Sequence, residues 1–283
     1  MMGCKEAAVI FAILCLSSTF LYAKGGIDCW AGTKSRIQRK LSPDIVLRLS
    51  PLTRVQNSMT GDGCRAELFN AQHEQVFSVA AFGISIVLTG QDVNGDGNPD
   101  LVLEGYSGGA HCCWTYYIIS LGHEPGMVSK FENERGAGFV LNKKTGKMEI
   151  ETLDGAFDYF DNFSHGGTPF PDVYMRLDGK KLIDISRLHT ADYDKEISEL
   201  RSAIGAKELA VFIQAENEKE KIGWEQVSSK VIGVVLAYLY SGRPSQARAA
   251  LKRMWPVFDQ DRVWKLILAT RRKGILRYTR KSG

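Results

Sequence analysis

The sequence predicts an α+β protein with segregated halves: a mostly antiparallel β N-terminal domain, then an α-helical C-terminal domain. Three observations carry this. Between residues 64 and 185, short runs rich in branched and aromatic residues alternate with turn signals, the pattern of strands and hairpins. Near Ser186 that alternation stops. From Asp192 onward apolar residues recur at helical spacing. With 44% hydrophobic and 24% charged residues over 283 positions, the composition is that of a globular chain, long enough for one large domain or two ordinary ones.

The chain begins with Lys5, an apolar run over 7–16 and Phe20-Leu21-Tyr22-Ala23, which ends on a small residue. This reads as a secretory signal peptide, residues 1–23, cleaved after Ala23. The run is shorter than the ~20 apolar residues a spanning helix needs. The mature chain is therefore expected to be exported, periplasmic or secreted, with no transmembrane span. Its expected domains are a β domain over 24–188 and a basic helical domain over 189–283.

Four cysteines remain after cleavage: Cys29, Cys64, Cys112 and Cys113. An even number in an exported chain predicts two disulfides, with three possible pairings. Neighbours on a strand point to opposite faces, so Cys112 and Cys113 can reach different partners. The favoured pairing is Cys29 with Cys64 and a vicinal bond between Cys112 and Cys113. The triplet His111-Cys112-Cys113 also offers soft metal ligands or an activated thiolate. Three consecutive residues aim poorly at one ion, and an oxidising compartment favours disulfides.

Residues 24–61 are broken by Gly32 and Pro43, and 44–49 reads as a short strand or a helix start. Strands are expected over 64–69, 75–80 and 82–89. The last leads into Asp92-Val93-Asn94-Gly95-Asp96-Gly97-Asn98-Pro99-Asp100. Oxygen-bearing side chains stand at positions 1, 3, 5, 7 and 9 of this run, and Gly97 at position 6 lets it turn sharply. Such spacing wraps a hard cation in oxygen ligands, and Ca²⁺ is the expected occupant. Candidate ligands are Asp92, Asn94, Asp96, Asn98 and Asp100.

After the loop, Leu101-Val102-Leu103 resumes a buried strand, and 113–121 is another. Lys143-Lys144-Thr145-Gly146-Lys147 and Asp178-Gly179 mark two hairpins. Between them, residues 154–167 mix aromatics with Asp158, Asp161 and His165. Aromatic faces beside carboxylates suit a sugar or peptide ligand. Asp158, Tyr159, Asp161 and His165, with His111, are thus ligand-binding candidates, and the carboxylates of Asp158 and Asp161 with the His165 imidazole also meet the needs of acid–base hydrolysis. The competing expectation is a loop that folds over the sheet and buries Phe157, Tyr159 and Phe160.

Helices are expected over 194–204, 224–240 (amphipathic) and 246–255, with Pro244 at a helix start and Asp259 capping the last one. From Ser241 to the end there are twelve Lys or Arg against two Asp. Basic helices of this kind suit an anionic surface or glycan; nucleic acid is not expected for an exported chain.

The metal loop is not an EF-hand, since Leu103 stands where that loop needs an acidic ligand and its flanks are strands. Phe82-Gly83, Ser85, the Asp92 to Asp100 loop, Leu101 and Gly105 together resemble the FG-GAP (integrin-type, VCBS-like) repeat. That resemblance covers about 30 residues. It implies a β-hairpin holding Ca²⁺ through Asp92, Asn94, Asp96 and Asp100, with Asn98 giving its backbone carbonyl. Such repeats usually form propeller blades, but this chain carries one copy, with β sequence for about three blades. The resemblance therefore implies blade-like local structure without a closed ring. The Gly108-Gly109-Ala110-His111-Cys112-Cys113 segment is similar to exported bacterial proteins of unknown function with a single such loop.

Neither Gly-x-Ser-x-Gly, a phosphate-binding Gly-Lys loop nor His-Glu-x-x-His occurs. The expected role is an exported, Ca²⁺-stabilised binding or structural protein. The alternative is an extracytoplasmic enzyme, either a hydrolase using Asp158, Asp161 and His165 or a thiol oxidoreductase using Cys112 and Cys113.

Overall fold

The computed structural model describes residues 28–53, 61–110 and 113–280. The expected signal peptide, His111 and Cys112 lie outside the described residues.

Strands and helices both contribute heavily, so the protein is α+β. The strands are β1 (Asp28–Trp30), β2 (Ile37–Ser42), β3 (Ile45–Leu52), β4 (Gly63–Phe69), β5 (Gln75–Ala81), β6 (Gly83–Gln91), β7 (Asp100–Tyr106), β8 (Trp114–Ser120), β9 (Gly126–Asn133), β10 (Ala137–Asn142), β11 (Lys147–Leu153), β12 (Asp172–Asp178) and β13 (Lys181–Asp184). They form three antiparallel sheets: β2-β3-β4-β5, then β1-β6-β7-β8-β9, then β10-β11-β12-β13. Apart from β1, which pairs with β6 from a distance in sequence, each sheet is a meander of consecutive strands. The hairpin signals at Gly146 and Gly179 fall at two of the turns, and both glycines have positive φ.

The α-helices follow: α1 (Thr190–Ser202), α2 (Ala206–Phe212), α3 (Glu218–Ile222), α4 (Glu225–Tyr240), α5 (Pro244–Met254) and α6 (Gln260–Lys273). No described helix is long and apolar enough to cross a membrane.

Strand burial follows the pleat. In β3, Ile45, Leu47 and Leu49 are buried while their neighbours are less so. β7 is buried on both faces at Leu101, Val102 and Leu103, because it is the middle strand of its sheet. Residues 44–49 resolve as strand, since β3 pairs on both sides, with β2 and β4. Strands β1, β2 and β9 carry no clear strand signal in the sequence. β2 carries Gln38, Arg39 and Lys40 on an exposed edge, and β9 has almost no apolar alternation.

Cys29 and Cys64 are bonded, with Cα atoms 5.9 Å apart and both side chains fully buried. The bond links β1, in the five-stranded sheet, to β4 in the neighbouring sheet. The glycine of the Phe82-Gly83 pair has a packing reason: a Cβ there would lie 2.3 Å from the Trp30 ring.

Two cores result. One is built from the β2–β5 sheet and one face of the five-stranded sheet, around Leu47, Leu68, Ile84 and Leu103. The other runs continuously from Tyr116, Ile118 and Phe131 through Ile150 and Met175 into Val231, Leu236, Leu251 and Trp255. The helices thus share a core with the sheets. α4 lies at its centre and is buried nearly all round, so the amphipathic face expected for it is absent.

Polar residues fasten the strand and helix portions together. Asp154, fully buried, accepts from the Tyr240 hydroxyl at 2.6 Å and from the Ile275 backbone N–H at 3.2 Å. Burial raises its carboxyl pKa above the usual range, against those hydrogen bonds. His189, at the start of α1, lies between Glu149 at 3.0 Å and Asp192 at 3.1 Å, stacked on Tyr174 at 3.8 Å between ring centres.

Candidate functional site

The Asp92 to Asp100 loop joins β6 to β7. Gly95 and Gly97 have φ of 78° and 87°, which side chains rarely tolerate. Asp92 accepts from the Gly95 N–H at 2.6 Å and the Gly97 N–H at 2.8 Å. Asp96 accepts from the Asn98 N–H and the Asn94 amide, and the Asn94 bond first of all lowers its carboxyl pKa. Asp100 is fully buried. One oxygen accepts from Val93 and Asn94; the other, Oδ1, is buried with no hydrogen-bond partner among the described residues. Burial, with the nearby charges of Asp96 and Asp92, pushes the Asp100 carboxyl up to about 6. Among the described residues, no three His, Cys, Asp or Glu side chains converge to hold a metal ion. Any shell here would draw on amide and backbone oxygens as well. The loop also braces its surroundings: the Gly179 N–H donates to the Asn94 carbonyl at 2.9 Å and the Leu121 N–H to the Pro99 carbonyl at 2.8 Å.

The aromatic and acidic stretch divides. Phe157, Phe160 and Phe163 are buried, but Tyr159 is 54% exposed, which corrects the expectation that it is buried with its neighbours. The backbone is left-handed at Tyr159, Asp161 and Asn162, and these alternating turns throw the tyrosine outward. Asp158 and His165 meet at 2.8 Å, and the Tyr159 and His165 ring centres are 5.7 Å apart.

Asp161 points away, to the helices. Arg262 donates to both of its oxygens, at 2.6 and 2.9 Å, and Lys221 to one, at 3.1 Å. Its side chain is 4% exposed, so the expected partnership of Asp158, Asp161 and His165 does not form. Asp259 joins the same knot through Lys221 at 2.9 Å, Arg262 and the Trp255 indole. Contrary to the sequence expectation it makes no side-chain cap on α6, because its carboxylate is already committed.

Cys113 is disulfide-bonded, which leaves it no thiolate to activate. The expected vicinal pairing falls partly on Cys112, outside the described residues.

A further cleft was not anticipated. It has a volume of about 570 Å³ and lies where β10, β11 and β12 meet α1. Glu151, Asp172, Asp192, Glu196 and Glu199 line it, together with Arg135 and Lys195. Burial raises the carboxyls of Glu151 and Asp172, and burial with Asp172 and Glu199 nearby pushes Glu196 up to about 8. Glu196 Oε2 is buried without a hydrogen-bond partner among the described residues. Arg135 stacks on Phe170 at 3.7 Å and approaches Asp158 at 4.0 Å, so the Asp158–His165 pair borders this cleft. One signal was present in the sequence: Asp192, Glu196 and Glu199 fall on one helical face. Asp172 and Glu151 sit on strands and gave none.

No protein-family model, curated protein or solved structure matches this chain. The functional reading therefore rests on the residues alone.

Proposed function

We propose that this is an exported, calcium-stabilised binding protein, in which the Asp92 to Asp100 loop staples adjoining turns. The observation that carries it is Asp100 Oδ1, a buried carboxylate oxygen with no partner among the described residues, in a loop that brings Asp92 and Asp96 close. A buried carboxylate oxygen without a partner is costly, and a hard cation is one partner that would offset it. Asp92, Asn94, Asp96 and Asp100 would hold the ion, with Asn98 through its carbonyl; the ion supplies positive charge, and the protein supplies the braced loop. The three antiparallel meander sheets support the blade-like architecture that the FG-GAP resemblance implies. The twelve basic residues from Ser241 onward support an anionic partner.

Millimolar Ca²⁺ is expected to raise the melting temperature relative to chelator. At a hundredfold excess over Kd the gain is ~2.7 kcal/mol, or roughly 5 to 10 °C for a chain of this size. Asp96→Ala, at an exposed loop position, should abolish the increment while leaving the melting temperature in chelator near wild type. A melting temperature indifferent to Ca²⁺ would end this reading.

A second reading, an acid–base enzyme, is favoured by Glu196 in its cleft. It would use Glu196 with Asp172, not Asp161. With its folded pKa raised, Glu196 binds more protons folded than unfolded between about pH 4.5 and 8. Stability should therefore fall as pH rises through that window and level off above it. Glu196→Gln should flatten the fall and stabilise the protein by about 1 to 3 kcal/mol at pH 8. Parallel pH profiles for wild type and variant would exclude a raised Glu196.

A further inference from the structure

A second cavity, of about 580 Å³, opens where β9, the β12–β13 turn and the C-terminal segment after α6 come together. Lys130, Lys180, Lys181 and Arg280 line it, with the hydroxyls of Ser129 and Tyr278. No carboxylate is among its described lining residues. A few cations elsewhere pair with carboxylates, as Arg243 with Asp194, Arg248 with Asp261 and Lys221 with Asp161 and Asp259, while most exposed Lys and Arg side chains among the described residues do not. What sets this recess apart is four cations gathered around one opening. Here, among the described residues, none of the four cations forms an ion pair. Asp178 pairs with Lys181 across the hairpin in register, yet makes no salt bridge to it.

Lys130 lies over the Tyr117 ring at 5.3 Å and Arg280 donates to the Arg271 carbonyl at 3.3 Å, but neither contact neutralises charge, and like charges gathered around one recess favour the entry of an anion. The hydroxyls fit the same occupant. Tyr278 accepts from Arg277 at 3.2 Å, so its own O–H remains able to donate. A lining of ammonium, guanidinium and hydroxyl groups is complementary to a ligand made of acceptors. The turn is held in place from outside the cavity: the Gly179 N–H is bonded to Asn94 in the metal loop, and Gly179 has a φ of 56°.

We propose that this cavity is the binding site for a compact, multiply charged anion bearing sulfate, phosphate or carboxylate groups. This rests on the binding-protein reading above and gives that reading its ligand class. The volume exceeds what a single phosphate fills, and because the recess is shallow and open, the vesicle arm of the test below separates a compact anion from a lipid surface. The site also differs from the exposed faces of the C-terminal helices that the charge count alone would have chosen.

The test uses the full mature chain in Ca²⁺-containing buffer and isothermal titration with two probes that do not chelate Ca²⁺ strongly: pyrene tetrasulfonate, a polyanion without a sugar, and a trisulfated heparin-type disaccharide. Lys180→Ala/Lys181→Ala is compared with wild type and with Lys207→Ala/Lys219→Ala, which removes two exposed cations elsewhere. Wild type should bind at least one probe, and the cavity variant should bind about tenfold or more weakly. The control should bind like wild type. Without ligand the cavity variant should melt no lower than wild type, since it loses self-repulsion and no ion pair. Binding of both probes points to charge alone as the recognised feature; binding of the disaccharide only points to a glycan. Three results overturn the proposal: no binding of either probe, equal weakening in both variants, or binding only to vesicles rich in anionic lipid. The calcium reading fails separately, by a melting temperature unmoved by Ca²⁺ while anion binding persists. Loss of anion binding alone, with the Ca²⁺ response intact, removes only the cavity.

Discussion

Replacing Lys221 by methionine is expected to cost about 3 to 5 kcal/mol at neutral pH, the range for breaking a buried ion pair from one side. Lys221 is 5% exposed, and its ammonium contacts Asp161 at 3.1 Å and Asp259 at 2.9 Å. With Arg262 and Glu218, whose carboxylate also contacts the Lys221 ammonium at 2.9 Å, the knot holds two cations and three carboxylates. Methionine preserves most of the volume but leaves the buried carboxylates of Asp161 and Asp259 with only the half-exposed Arg262 as counter-charge. Burial alone would push the Asp259 carboxyl up, but hydrogen bonds from Arg262, Lys221 and Trp255 bring it below its usual value. Its stabilising contribution is therefore present above the unfolded carboxylate pKa and is lost as pH falls through the folded one. The deficit of the variant should accordingly shrink in acid. Denaturant titrations of both proteins at neutral and acidic pH measure this. A deficit below about 1 kcal/mol at pH 7, the value of a surface pair, would show that the knot is solvated.

Removing the Cys29–Cys64 bond by the paired substitution Cys29→Ala/Cys64→Ala should cost about 4 kcal/mol, from the chain entropy of a 35-residue loop. For a chain of this size that lowers the melting temperature by roughly 10 °C. The effect should concentrate in the β2–β5 sheet, since the bond ties that sheet to β1 and both sulfurs are buried in its core. Hydrogen exchange read strand by strand tests the location. Uniform loss of protection, including α4 and α5, would mean that the two cores unfold as one unit.

The local features were legible in the sequence. Strands β4 to β8, both hairpin turns, helix α4 and the change of period near Ser186 follow from patterns over a few residues, and the structure has them. The favoured pairing of Cys29 with Cys64 is the one that forms. β9 was not legible, because it is held mainly by pairing with β8 rather than by its own apolar pattern.

The sequence by itself determined most of the strands and helices and where oxygen-bearing side chains gather in the Asp92 to Asp100 loop. Periodicity, turn chemistry and ligand spacing are local quantities. Only the tertiary structure decided the fate of the charges. Asp161 was drawn away from Asp158 and His165 by Lys221, sixty positions along the chain, and by Arg262, a hundred and one positions away. The acidic cleft and the cationic cavity arose because packing gathered residues from distant segments. Coulomb interactions depend on distance in space and on burial, and a folded chain sets both without regard to order along the sequence.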